Sequence, residues 1–153
     1  VVFRGTVRAY EALRPRITGA PASPTNAGGT QLQANRANRM AAAAALATDG
    51  KLEEALQEYQ AISVQWPDDP FARVRMGEVL LKLGREDDAI AAYESAVEAD
   101  PTDPNVHFIL GYAYRTAGLR EKAITAFETA LSMDPSRAHA QKVLEELRAE
   151  SAP

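Results

Sequence analysis

Cysteine is absent from these 153 residues, which removes disulfides, thiolate metal sites and thiol nucleophiles together. That absence leaves the compartment open between cytoplasm and periplasm, because cysteine-free chains occur in reducing and oxidising places alike. No apolar run approaches the roughly 20 residues needed to cross a bilayer, so no membrane insertion is expected of this segment. Excess positive charge is missing too. The net charge is −4, against the basic face of a general nucleic-acid binder. Histidine is scarce: His107 and His139 stand far apart, each near a helix start. No His-Glu-x-x-His pair, phosphate-cradling glycine loop, nucleophile elbow or Ser-His-Asp arrangement occurs. The acidic run Glu86-Asp87-Asp88 suits a helix dipole and offers too few oxygens for a calcium loop. The expectation is a chain with no catalytic residues, no metal and no cofactor.

What is present is ordinary soluble composition, 46% hydrophobic and 25% charged, in a length that allows one domain with a continuous core. Arg outnumbers Lys and Ala is abundant, a usage associated with high-GC bacterial genes. The chain starts at Val, which points to a piece of a longer protein or a processed product. Val1-Val2-Phe3 before Arg4 reads as an ordinary helix start or as the trailing edge of a membrane tether upstream; length favours the first. Residues 1–14 suit a short helix with Phe3, Val7, Tyr10 and Leu13 along one side, weakened by Gly5 and stopped by Pro15. Residues 15–29, rich in Pro, Gly, Ser and Asn, cannot bury enough apolar area to hold together and read as a linker or extended segment.

From there the chain writes one pattern several times. With a shift of 34 residues, Gly77 falls on Gly111, Gly84 on Gly118, Ala89 on Ala123, Tyr93 on Phe127, Ala96 on Ala130 and Pro101 on Pro135. One period earlier Gly50, Ala55, Tyr59 and Pro67 meet the same places. That period is the one expected of helix–turn–helix solenoid units. Breakers and apolar spacing predict helices over 30–48 (Thr30 as N-cap), 52–65, 71–83, 86–99, 105–117 and 121–133. A last helix, capped by Ser136, runs to about Ala149. Asp69-Pro70 and Asp103-Pro104 are helix-starting pairs. Gly77 and Gly111 are read as letting the paired helix approach closely at Ala89 and Ala123. Tyr93 and Phe127 then fill the space between one pair and the next, and truncating such a ring to Ala costs about 3–5 kcal/mol.

The array over residues 36–149 is similar to the tetratricopeptide repeat. Leu110, Gly111, Tyr114, Ala123, Phe127, Ala130 and Pro135 fill that family's signature places, as do Met76, Gly77, Leu80, Ala89, Tyr93, Ala96 and Pro101 one period before. Residues 30–69 make a degenerate first unit with Ala55, Tyr59 and Pro67; 70–103 and 104–137 are the second and third; 138–150 is a capping helix. Arg39, Arg73 and His107 stand where the family often has Trp. The resemblance implies an all-α, right-handed α-solenoid and a non-catalytic role in protein–protein interaction.

It also implies a concave groove lined by the first helix of each unit. The repeat offset places Met40, Ala44, Val74, Arg75, Glu78, Leu81, Asn105, Phe108, Tyr112, Arg115 and Lys142 there as the partner-binding set. Ala37, Ala41, Ala47, Phe71, Lys82, Ile109, Thr116, His139 and Glu146 lie beside them. Val74, Leu81, Phe108 and Tyr112 miss the packing positions, and apolar residues gathered on a concave wall mark a binding surface. Some family members hold a peptide's terminal carboxylate with two Lys, two Asn and an Arg. The matching places here hold Met40, Ala44, Arg75, Asn105 and Ile109, or one unit later Val74, Glu78, Ile109, His139 and Val143, so that clamp is missing. The expected ligand is an apolar or amphipathic peptide or helix, in a scaffold or adaptor. The alternative is an accessory module of a larger enzyme or a membrane-anchored envelope or secretion assembly. Residues 1–14 are a further expectation. Tethered beside the groove, they fill it in the same chain or in a neighbour (a homo-oligomer), or they pad the first helix pair.

Overall fold

Seven α-helices account for nearly all of residues 27–149, the part of the chain that the computed structural model describes, and no strand occurs among the described residues. They are α1 (Ala27–Thr48), α2 (Leu52–Gln65), α3 (Pro70–Lys82), α4 (Glu86–Ala99), α5 (Pro104–Thr116), α6 (Arg120–Met133) and α7 (Ala138–Ala149). By contact a first unit ends at Ala34 and a second opens at Asn35; the packing below is that of the second. The expectations for residues 1–14 and for most of the linker fall outside the described residues. Residues 27–29, assigned to the linker from sequence, belong to α1. Thr30 therefore lies within the helix and not at its cap, since a helix already formed extends over Gly at only about 1 kcal/mol per residue.

The turns are chemical copies of each other. Gly50, Gly84 and Gly118 hold φ of 79°, 72° and 73°, a region costly for side chains with a Cβ. The residue after each glycine donates its N–H five places back, Lys51 to Leu46 O, Arg85 to Leu80 O and Leu119 to Tyr114 O, at 2.9, 2.9 and 2.8 Å. This closes the helix ends in the Schellman manner. At the other end of each hairpin, Asp69 accepts the N–H of Phe71 at 3.0 Å and Asp103 that of Asn105 at 2.8 Å, each with Pro at the first helical position. Ser136 does not cap α7. The Asp134 carboxylate takes both its N–H and its hydroxyl, at 3.1 and 2.6 Å, and the helix starts two residues later, at Ala138.

Helices α3 and α4 pack as one hairpin and α5 and α6 as the next, while α2 lies on α3, α4 on α5 and α6 on α7. Ala55, Ala89 and Ala123 are fully buried, and Tyr59, Tyr93 and Phe127 are buried within the same core. One detail differs from the sequence reading. The space left by Gly111 is filled by the Phe127 ring, which would stand 2.9 Å from an added Cβ; Gly77 serves the Tyr93 ring in the same way. The glycines thus seat the aromatic rings, not the alanines. The three positions read as departures from the family's Trp also have a use: Arg39 donates to Glu58 and Gln65, both at 2.6 Å, and the other two hold a carbonyl. Arg73 donates to Pro67 O at 2.7 Å, and His107 Nε2 to Pro101 O at 2.9 Å. Gln141, one period on, donates to Pro135 O at 2.9 Å. A carbonyl can only accept, so His107 carries its proton on Nε2.

Candidate functional site

Helices α1, α3, α5 and α7 occupy equivalent places in the stack, and their facing side chains change character along it. At the α5–α7 end the surface is aromatic. Phe108 meets Tyr112 and Phe127 edge-on, with centroids 5.0 and 5.8 Å apart. Tyr112 meets Phe127 edge-on at 5.2 Å and stacks on His139 at 5.9 Å and 17°. The Arg137 guanidinium lies 5.4 Å from the centre of the Phe108 ring. Phe108 and Tyr112 are half-buried as a result. The sequence offered them no neighbour; Phe127 and His139 supply one. Removing both rings would damage the core as well as any surface.

At the α1–α3 end the equivalent places are two periods earlier: Met40 for Phe108, Ala44 for Tyr112 and Tyr59 for Phe127. Methyl groups now stand where rings stood, and the volume they leave is a concavity of about 410 Å³. Met40, Ala41, Ala44, Ala47 and Thr48 of α1 face Arg75, Glu78 and Lys82 of α3 across it, with Tyr59 and Val79 as floor. Burial pushes the Tyr59 phenol pKa up, so it stays neutral at physiological pH. Seven of the twenty expected groove residues come together here. Tyr59, Val79 and Thr48 were not among them. Tyr59 had been assigned to packing and is indeed buried in the core. The short side chains opposite make its ring part of the concavity's floor as well, a signal that comparing Ala44 with Tyr112 would have supplied.

The other expected residues are placed as follows. Val74 is buried in the core, whereas Leu81 and Phe71 are 42% and 58% exposed. Ile109 is half-buried, and Ala37, His139 and Lys142 are exposed. Asn105 donates to Asp103 and accepts from Arg137, at 2.8 and 2.6 Å, and so ties the start of α5 to the turn before α7. Arg75 pairs with Glu78 at 2.7 Å along α3, and Arg115 with Glu146 at 3.3 Å from α5 to α7. The bond to Glu78 raises the Arg75 pKa further. Thr116 donates back to Tyr112 O at 3.0 Å. Lys82 and Lys142 have no ion-pair partner among the described residues.

Charge is sorted by helix. Helices α1, α3 and α5 carry six Lys and Arg against one carboxylate, Glu78. Helices α2, α4 and α6 carry two against ten. Among the described residues no group of three or more His, Cys, Asp or Glu is placed to hold a metal, and no helix is long and apolar enough to cross a membrane.

The sequence profile of the tetratricopeptide repeat family matches residues 46–107 and 80–147. No curated protein sequence matches the chain. Among solved structures, the Yersinia enterocolitica type III secretion chaperone SycD, in complex with a peptide of the translocator YopD, is similar in fold. Its TM-score is 0.67 and its identity 19%, over 75% of this chain and 93% of that one. The first repeat domain of Spaghetti (RPAP3), bound to an HSP90 peptide, superposes with a TM-score of 0.67 at 18% identity, over 76% and 94% of the two chains. MamA of Desulfovibrio magneticus RS-1 is 27% identical with a TM-score of 0.62, over 75% of this chain and 65% of that one.

Proposed function

The chain belongs to the tetratricopeptide repeat family, and we propose that it is a protein-interaction adaptor that holds an apolar or amphipathic peptide segment along its inner face. The reading rests on the concavity of about 410 Å³ between α1 and α3, open because Ala44 stands where Tyr112 stands in the last layer. Its size lies within the range of small-ligand and side-chain pockets. Met40 adds an adaptable apolar wall. SycD and Spaghetti each hold a peptide in the structures compared, which favours the same use here. A clamp on a chain-terminal carboxylate is not favoured. The two polar residues at the matching places are engaged, Arg75 by Glu78 and Asn105 by Asp103 and Arg137.

Ala44→Tyr tests the proposal, because it fills the concavity with the side chain that the fold already accommodates at Tyr112. Peptides are first selected from a random displayed library on the full chain. Enrichment in Leu, Ile, Met or Phe is expected, with affinity falling at least about ten-fold in Ala44→Tyr, the effect of losing about 1.4 kcal/mol of contact. Circular dichroism and melting temperature should hold. Failure to select any peptide, or peptides indifferent to the substitution, would sink the groove reading.

A further inference from the structure

Resting on that groove reading, we infer that the segment it takes is acidic as well as apolar: side chains fill the concavity while internal Asp or Glu residues pair with Lys82 and Lys142. The chain as a whole is acidic, at −4, yet its inner helices reverse the sign. Pairing sharpens the bias. Of the inner-face carboxylates, Glu78 is held by Arg75 and Glu146 by Arg115. Arg36 and Arg39 are used by Asp69 and Glu58. Among the described residues of these helices, Lys82 and Lys142 remain without an ion pair. Arg73 donates to the carbonyls of Pro67 and Asp69, and the one carboxylate without an ion pair is Glu145, exposed on α7. Lys82 lines the concavity. Lys142 is exposed on the stripe of α7 that also carries His139 and Glu146, both of which meet side chains of α5.

A basic segment would bring its charge against Arg75 and Lys82 and find both inner-face carboxylates engaged. An acidic one meets lysines that lose nothing by turning to it. Helices pack roughly 8–10 Å apart, so Lys82 on α3 and Lys142 on α7, two helices along, lie on the order of 20 Å from each other. About six or seven extended residues span that at roughly 3.3 Å each, a short linear segment. Nucleic acid also carries negative charge, but it has no use for an alanine-walled concavity. Its rigid repeat of charge would also meet the ten carboxylates of α2, α4 and α6 around the flank.

Fluorescence anisotropy on the full chain reads the inference, with peptides acetylated and amidated so that no terminal charge contributes. The probe alternates Leu with Glu over about seven residues, the extended length that spans the two lysines. Its partners are the same peptide with Gln for each Glu, a Glu peptide without Leu, and an oligothymidylate of equal charge. The Glu–Leu peptide is expected to bind about five- to ten-fold tighter than the Gln–Leu peptide at low salt. That gap should close near 1 M salt, where screening acts within about 3 Å. Lys82→Gln with Lys142→Gln, both exposed and unpaired, should close it at low salt, bringing Glu–Leu affinity down to that of the Gln–Leu peptide on the same variant. Equal binding of the Glu–Leu and Gln–Leu peptides overturns the inference and leaves the groove standing. Failure of both Leu peptides removes the groove reading itself. Oligothymidylate binding as tightly as the Glu–Leu peptide overturns the inference in favour of a general polyanion site.

Discussion

A methyl group on Gly77 would meet the ring of Tyr93, buried in the same hairpin. Two effects oppose each other there. Alanine improves helix propensity by about 1 kcal/mol, while overpacking a close-packed site costs about 1–3 kcal/mol, and a ring wedged between two helices has little room to yield. Gly77→Ala is therefore expected to destabilise by about 1–2 kcal/mol in urea unfolding. Gly111→Ala should do less, because the nearest Phe127 atom lies 2.9 Å from the added carbon. A stabilised Gly77→Ala protein would mean that the ring moves aside freely. The Tyr93 hydroxyl belongs to the same environment: burial pushes its pKa up to about 12, so the ring stays neutral in its seat. The recurrence of glycine at Gly77 and Gly111 was legible in the sequence. Its partner was not, because spacing along a chain names the helix face and not the atom that crosses from the next helix.

Each loop entering α5 or α7 is braced by an aspartate that holds a hydroxyl residue two places on. Asp100 takes the N–H and hydroxyl of Thr102 at 3.0 and 2.7 Å, and Asp134 does the same with Ser136. The hydroxyl bonds from Thr102 and Ser136, followed by their N–H bonds, hold both carboxyl pKa values below the usual range. Such groups bind protons more weakly folded than unfolded. Their contribution is complete above the unfolded value of about 3.9 and is lost as pH falls through the lowered folded values. Both side chains are partly exposed to water, which screens them, so the effect is modest. Melting temperature should fall below pH ~4, and Asp100→Asn with Asp134→Asn should flatten that fall, since Asn still accepts but does not titrate. An unchanged acid slope would remove these aspartates from the account. The sequence showed helix-breaking chemistry at both loops, and α2 and α4 begin and end at the residues expected from it. It misassigned Ser136, because a serine before a helix suits a cap and an aspartate brace equally well. Only the backbone geometry chooses between them.

Across the whole molecule, a stack of helix hairpins leaves its last face open unless something covers it. Helix α7 does this with Ala140, Val143, Leu144 and Leu147, all buried, and its His139 stacks on Tyr112. A chain ending at Ser136 is expected to melt lower and unfold at less urea with a smaller dependence on denaturant, since less surface is buried. It should also associate with itself in sedimentation, because the uncovered side of α5 and α6 is apolar. A truncated chain that stays monomeric at full stability would show that α7 is not needed as a cover. The cover was readable in advance from the inward spacing of Val143, Leu144 and Leu147, to which the structure adds Ala140.

Sequence decided the helices, their turns, the period that stacks them and the sorting of charge between inner and outer helices, all of which depend on residue type at short range and on repetition. Only the tertiary packing decided where the stack is hollow. Met40, Ala44, Phe108 and Tyr112 occupy equivalent places and read alike as inner wall, but rings packed on Phe127 close one end while methyl groups over Tyr59 leave the other open. Whether a side chain fills a space depends on the volume brought opposite it by another part of the chain, and that volume is set by folding.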